Sequence, residues 1–273
     1  MSPRPELSRL SLNQITIDQC SLPEAIEACG RAGLTVIAPW RHKVAEVGVQ
    51  QAARQLRESG MRVSSLCRGG FFPAADVAGT RAADEENRRA VEEAAMLGTD
   101  VLVLVCGPPI GRDVEGARAQ ILAGIERLVP HAEEHGVRLA IEPLHPMMIS
   151  ERSAIVTLGE AIDLAERFDA PRVGVVVDAY HVWWDPRLYD EIARAGRRIL
   201  GYHVADWLVP TTDRLQGRGM MGDGVIDLKR IRAAVEDAGY DGPIEVEVIN
   251  REALARPGDD VVAEVCEAFL RAA

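Results

Sequence analysis

Four short apolar runs in this chain each finish on a carboxylate or an imidazole: Leu139-Ala-Ile-Glu142, Val175-Val-Val-Asp178, Ile199-Leu-Gly-Tyr-His203 and Ile244-Glu-Val-Glu247. A buried strand that ends this way carries its last side chain to the rim of a sheet, where several such groups can meet. Taken singly, a strand-terminal Asp or Glu more often caps the next helix or pairs with an Arg, and a lone His is more often hydrogen-bonded in a core. The four in succession point instead to a divalent cation. Glu142, Asp178, His203 and Glu247 are mostly hard donors, which favours Mn²⁺, with Mg²⁺, Co²⁺ or Zn²⁺ as competitors. Glu245 and Glu247 share one side of their strand, and Glu247, nearer the rim, is the ligand expected.

Polar groups recur three residues after three of these ligands: His145 after Glu142, His181 after Asp178 and Asp206 after His203. That spacing would set a second group above each ligand, where a substrate hydroxyl or carbonyl could meet it. All four tryptophans (Trp40, Trp183, Trp184, Trp207) follow strand-like runs, in a chain only 4% aromatic. Indole faces suit the C–H faces of sugars, and pockets pair such walls with few polar groups. The long polar, glycine-rich segment 211–224 supplies Arg214 and Arg218 as candidates for a substrate oxygen, and its glycines fit no nucleotide-binding fingerprint. The expected substrate contacts are therefore His42, His145, His181, Trp183, Asp206, Arg214 and Arg218.

Something must hold these groups together. Strand-like segments at 12–17, 34–38, 62–66, 100–106, 138–142, 172–178, 198–204 and 243–249 are rich in Val, Ile and Leu without strict alternation, as parallel strands buried on both faces are. Amphipathic stretches at 22–32, 44–59, 80–97, 114–135, 155–168, 185–195, 228–238 and 259–272 lie between and after them. Ser21 with Glu24 reads as a capping box, Asp113, Asp185 and Asp227 as caps, and Gly33, Gly60, Gly98, Gly136 and Gly239 as stop signals. Eight β–α units without a long linker predict an α/β fold, a single (β/α)₈ TIM barrel over residues 1–273. A doubly wound open sheet is the runner-up. Active sites of such barrels lie at the C-terminal ends of the strands, where the four ligand-type residues fall.

Composition narrows the function classes. A chain of 273 residues can bury a sizeable core. Its net charge of −11 disfavours nucleic acid as a partner. No apolar stretch approaches the ~18 residues of a membrane span. The first seven residues lack a signal-peptide layout, so cytoplasm is the expected location. The five cysteines are widely spaced without a C-x-x-C pair, and reduced thiols are expected.

At the residues quoted above the chain resembles the xylose isomerase-like superfamily of sugar isomerases and epimerases, which includes ketose 3-epimerases, inosose dehydratases and an endonuclease IV branch. The resemblance runs from about residue 10 to the end. It is carried by Ala140-Ile-Glu142-Pro, Val177-Asp178-Ala-Tyr-His181, Tyr202-His203-Val-Ala-Asp206, Gly222-Asp223-Gly224-Val-Ile-Asp227 and Gly239-Tyr-Asp-Gly-Pro-Ile-Glu-Val-Glu247. It implies an ion held by Glu142, Asp178, His203 and Glu247, with the two glutamates exchanging a proton on opposite faces of a carbon beside a carbonyl. It also implies a substrate-contacting His at His181 and an Arg after the His ligand, displaced here to Arg214 or Arg218. The extra ligands of the endonuclease branch are not evident. The expected function is a divalent-metal-dependent sugar isomerase or epimerase working through an enediolate on a sugar or polyol-derived substrate. A homo-oligomer is compatible with the resemblance. The alternatives are a lyase acting on a keto-sugar or inosose-type substrate, C-glycoside cleavage included, and a non-catalytic metal-binding barrel.

Overall fold

A computed structural model describes residues 5–273; residues 1–4, part of the segment read for a leader, lie outside the described residues. Strands are β1 (Leu10–Asn13), β2 (Val36–Ala38), β3 (Arg62–Val63), β4 (Leu66–Gly70), β5 (Val101–Val105), β6 (Arg138–Ile141), β7 (Val173–Asp178), β8 (Ile199–Val204), β9 (Asp206–Trp207), β10 (Arg218–Gly219) and β11 (Ile244–Val246). Nine of them form one sheet in the order β3-β2-β1-β11-β8-β7-β6-β5-β4, and all its pairs are parallel. The first strand thus neighbours the last.

β3 and β4 are two pieces of one stave interrupted at Ser64 and Ser65. The first piece pairs with β2, the second with β5, and a parallel bridge between Trp40 and Cys67 joins the edges. Counted as staves, the strands make the eightfold barrel of the TIM type, and the open-sheet alternative is set aside because its two edges would stay apart.

The helices are α1 (Leu22–Ala32), α2 (Arg41–Val47), α3 (Val49–Ser59), α4 (Val77–Leu97), α5 (Val114–Glu134), α6 (Leu158–Ala165), α7 (Ala179–Val182), α8 (Leu188–Ala195), α9 (Leu228–Asp237), α10 (Arg251–Leu254) and α11 (Gly258–Ala272). The Ser21–Glu24 capping box forms at α1, and Asp113 and Asp227 cap α5 and α9. Asp185 does not cap α8: the N-cap is Arg187, two residues later than expected, and the Asp185 carboxylate instead accepts from the Arg187 amide at 2.8 Å. The predicted helix 44–59 is split at Gly48, and strand 12–17 stops at Asn13, whose side chain accepts from the Ile15 amide and opens a 3₁₀ turn. Among the described residues no helix is long and apolar enough to cross a membrane.

Alternation sorts the buried side chains into two layers. Leu102, Leu104, Leu139, Ile141, Val175 and Val177 pack in the main core with the helices, whereas Val101, Val103, Ala140, Val176 and Leu200 form a separate cluster. By parity the second set fills the barrel interior. Glu142 shares the parity of Ala140, and Asp178 that of Val176, so both carboxylates follow interior residues.

Candidate metal centre

Each ligand-type residue stands at the C-terminal end of its stave. Glu142 follows β6, Asp178 ends β7, His203 is the penultimate residue of β8, and Glu247 follows β11. A register shift between Val175 and Val176 lets β8 carry one extra residue, so Asp178 pairs laterally with His203, and His203 with Glu245. Sheet pairing thus aligns three polar groups in a row across neighbouring staves. Glu247 sits one inward position higher, its amide donating to Val204 O at 3.0 Å.

One ligand atom from each of Glu142, Asp178, His203 and Glu247 lies within 4.8 Å of all the others. All are buried, with exposures of 4%, 1%, 1% and 5%. His203 Nδ1 stands 3.0 Å from Glu142 Oε1 and 3.1 Å from Glu247 Oε2. Its other nitrogen, Nε2, lies 3.2 Å from Glu245 Oε2. Burial alone would lower the His203 pKa, but Glu245 and the carboxylates of Glu142 and Glu247 beside the ring hold it well above the ordinary value. Burial pushes the Glu142 carboxyl up to about 7, against the pull of His203 and helped by Glu247. Burial likewise raises Asp178, with Arg218 opposing.

The donor set fits a divalent cation. Glu142 Oε1 is buried and makes no hydrogen bond despite its nearness to His203, because Nδ1 bonds Glu247 Oε2. Three inward carboxylates in a dry site leave a negative excess that one imidazolium and one guanidinium only partly offset. A cation would replace the Nδ1 proton and take up the free oxygen. Behind the imidazole, Glu245 accepts from Asn13 Nδ2 at 3.3 Å, and Asn13 Oδ1 accepts from Trp40 Nε1 at 2.6 Å. Burial would raise Glu245, yet the adjacent His203 brings its pKa below the ordinary value. Such a carboxylate behind a metal-binding imidazole orients the ring and fixes its tautomer.

Of the two candidate arginines, the structure brings Arg218 to the centre. Its Nη1 donates to Glu247 O at 3.1 Å and to Asp178 Oδ2 at 3.4 Å, and Nη2 lies 3.2 Å from His181 Nε2. Arg214 points away, exposed, to Glu151 Oε1 at 2.6 Å. His181 is buried with its pKa well below the ordinary value, first through burial and then through Arg218, so the ring is neutral. Its Nδ1 accepts from the His145 amide at 3.2 Å. Behind Arg218 rises a stacked column: the guanidinium lies 4.5 Å from the Tyr180 ring, Tyr180 stacks on Trp207 at 4.9 Å, and Trp207 on His145 at 4.9 Å.

The cavity above the ligands is narrow, about 40 Å³, and is lined by Glu142, Glu247, His181 and Arg218 with Leu144 and Leu215 opposite. It shares the wall of Trp40, Cys67 and Arg68 with a recess of about 380 Å³ to which His42 also contributes. His181 and Arg218, both buried, line only the narrow cavity beside the candidate ligands. His42 stands in the recess, its Nε2 2.6 Å from Asp18 Oδ1. His145, Trp183 and Asp206 line neither space. Asp206 differs most from expectation. Its fully buried carboxylate accepts from the amides of Trp207, Gly222 and Ile226, so it anchors the loop after β8 instead of facing a substrate. Trp183 leans on Trp207 at 5.8 Å, and Trp184 donates to His181 O at 2.8 Å.

Sequence reasoning missed Asn13, behind Glu245, and Arg68 and Arg152, which line the narrow cavity. Arg68 sits in Leu66-Cys-Arg-Gly-Gly70, and a charged residue before two glycines at the end of an apolar run is the signal that could have found it. Arg152 follows no strand directly and carries no local signature.

The family model for the xylose isomerase-like TIM barrel matches residues 24–273. A 3-dehydroshikimate dehydratase of Pseudomonas aeruginosa is 28% identical over 251 residues, 87% of this chain and 37% of that protein. The chain thus spans little more than a third of that dehydratase. A ketose 3-epimerase of Arthrobacter globiformis is 24% identical over 217 residues, 76% of this chain and 70% of that protein. Among solved structures, a protein of Sinorhizobium meliloti 1021 is 49% identical with a TM-score of 0.95, covering 97% of this chain and 98% of that one. The IOLI protein, solved with a bound zinc atom, shares the fold at 20% identity and a TM-score of 0.85, covering 96% and 97%.

Proposed function

The chain belongs to the xylose isomerase-like TIM barrel family, and from that premise we propose that it is a divalent-metal-dependent enzyme that removes a proton beside the carbonyl of a sugar or polyol-derived substrate, with residues 1–273 as one domain. The observation that carries the reading is the convergence of Glu142, Asp178, His203 and Glu247 within 4.8 Å at the ends of four consecutive staves. These four would hold the ion. Their mostly oxygen donor set favours Mn²⁺. A bound divalent ion supplies positive charge where the carbonyl oxygen turns anionic.

The chain's own residues supply the proton chemistry. Glu142 and Glu247 reach the same imidazole nitrogen from two staves, so a substrate seated over His203 has a carboxylate on either side. One takes the proton, leaving an enediolate, and the other returns it to the opposite face, which inverts that carbon. Return to the neighbouring carbon isomerises the sugar. Neutral His181, lining the narrow cavity, holds a substrate hydroxyl, and Arg218 fixes Asp178 and His181 in place. The second reading, β-elimination from the same enediolate, is supported by the likeness to a dehydratase. There one carboxylate takes the α-proton, and as the enediolate collapses to a carbon–carbon double bond that carboxyl gives the proton to the β-hydroxyl, which departs as water.

Mass spectrometry in deuterated water separates the two. A recovered keto-sugar one mass unit heavier marks epimerisation or isomerisation, and a product lighter by water marks elimination. A protein that binds no divalent ion in a Mn²⁺ titration and exchanges no proton with keto-sugars, keto-sugar phosphates or cyclic keto-acids would sink both readings.

A further inference from the structure

Two arginines at the mouth have no work in the chemistry above. Arg68, in β4, and Arg152, in the loop after β6, both line the cavity that holds Glu142 and Glu247. In a protein with 42 acidic and 31 basic residues, arginines easily find carboxylates. Arg41 bonds Glu93 and Glu86, and Arg194 bonds Asp163, Glu166 and Glu191. Neither mouth arginine has an ion pair or a side-chain hydrogen bond among the described residues, although both are partly buried. Among the described residues, the other arginines without such a bond from the guanidinium are exposed.

The surroundings keep both guanidinium groups open. Glu86, on the wall of the adjoining recess, is already engaged by Arg41 at 2.7 Å and by Arg89. The Arg68 guanidinium lies 4.0 Å from the centre of the Phe71 ring, which occupies a face and leaves the in-plane N–H donors free. Burial, Arg152 and Arg41 all weaken its hold on its proton, a repulsion that an anion between the arginines would relieve. The backbones are fixed: Arg68 O accepts from Arg41 Nη1 at 3.4 Å, and Arg152 N and O bond Met148 O and Gly107 N, each at 2.9 Å. Partly desolvated, unpaired cations on fixed backbones are costly unless a ligand neutralises them.

We propose that Arg68 and Arg152 form an oxyanion-binding subsite beside the metal centre, and that the substrate carries a carboxylate or a phosphate at the end remote from its reacting carbonyl. The substrate assignment rests on the reading under Proposed function; anion binding by the arginines does not. Arg218 is excluded as the anion's main partner because Asp178 and the Glu247 carbonyl already occupy it.

Calorimetric titration tests this with inorganic phosphate, glycolate and neutral glycerol, on Mn²⁺-loaded and on metal-free protein. The proteins are wild type, Arg68→Gln, Arg152→Gln, the double variant, and Arg68→Lys, which keeps the charge. At least one anion is expected to bind the wild type tenfold or more tightly than glycerol in both metal states. Each Gln substitution should weaken it about tenfold, and Arg68→Lys by less. Tighter phosphate assigns a phosphate ester, and tighter glycolate a carboxylic acid. The inference is overturned if neither anion outbinds glycerol, or if the double variant binds anions as the wild type does. Mn²⁺ affinity, titrated separately in the same proteins, should be unchanged by the substitutions. Its absence from the wild type would remove the proposed reaction while the metal-free arm still judged the arginines.

Discussion

Glu142 and Glu247 meet the same nitrogen of His203, so each is a candidate ligand by position and a candidate base by reach. Replacing either with Gln keeps shape and one oxygen donor but removes the basic site. Glu142→Gln and Glu247→Gln are expected to lower solvent-proton exchange by about 10²–10⁴-fold at saturating Mn²⁺. Exchange fully restored by excess Mn²⁺ would reduce both residues to ligands. The electrostatics add a pH dependence. In the metal-free protein Glu142 is raised to about 7 and His203 is held well above its ordinary value, so near neutrality Glu142 is about half protonated and His203 keeps its proton. An ion needs the carboxylate and the free Nδ1, and its entry therefore releases protons. Mn²⁺ affinity should fall as pH drops from 8 to 6, and equal affinity across that window in a fluorescence or calorimetric titration would contradict the sign.

Strand ends and registers decide what a residue pattern cannot. Glu245 and Glu247 were indistinguishable by side-chain alternation, and only the pairing of Glu245 with His203 shows Glu245 as the group behind the imidazole. Removing that support with Glu245→Ala is expected to weaken Mn²⁺ about 10–100-fold while leaving Glu142 and Glu247 in place, as a metal titration would read. The staves with long apolar runs, β5 to β8, were legible because buried parallel strands leave few polar interruptions. The third stave was not. Ser64 and Ser65 break it, and Arg68-Gly69-Gly70 resembles a loop, so the expected segment ended at 66 and Arg68 was lost with it. Arg214 and Arg218 could not be ranked either, because only the β9–β10 pairing turns Arg218 inward. Gly70 shows why that stave reads unlike a strand. Its φ is +104°, and a Cβ there would stand 2.0 Å from Val105 O. Gly70→Ala is expected to cost about 1–3 kcal/mol through backbone strain, and more if β4 must shift from β5, as urea denaturation would measure.

Across the whole molecule, the four candidate ligands bring β6, β7, β8 and β11, half the staves of the ring, to one small volume. Without an ion that volume sets buried carboxylates against each other, so metal removal should be felt as lost stability of the barrel as a whole. An ion that binds only the folded chain stabilises it by about 2.7 kcal/mol at a free concentration of 100 times its dissociation constant. For a chain of this length that corresponds to a rise in Tm of roughly 5 °C. Because the donors come from separate staves, the rise should move one cooperative transition and not add a second. Calorimetry with Mn²⁺ and then with excess chelator would show it, and Glu142→Gln, with one fewer charged ligand, should show a smaller rise. Identical melting in Mn²⁺ and in chelator would mean that the four groups hold no ion. A rise that survived Glu142→Gln unchanged would place the ion elsewhere, and the Glu92, His131 and His135 group between α4 and α5, with Glu92 and His135 exposed, would be the next place to look.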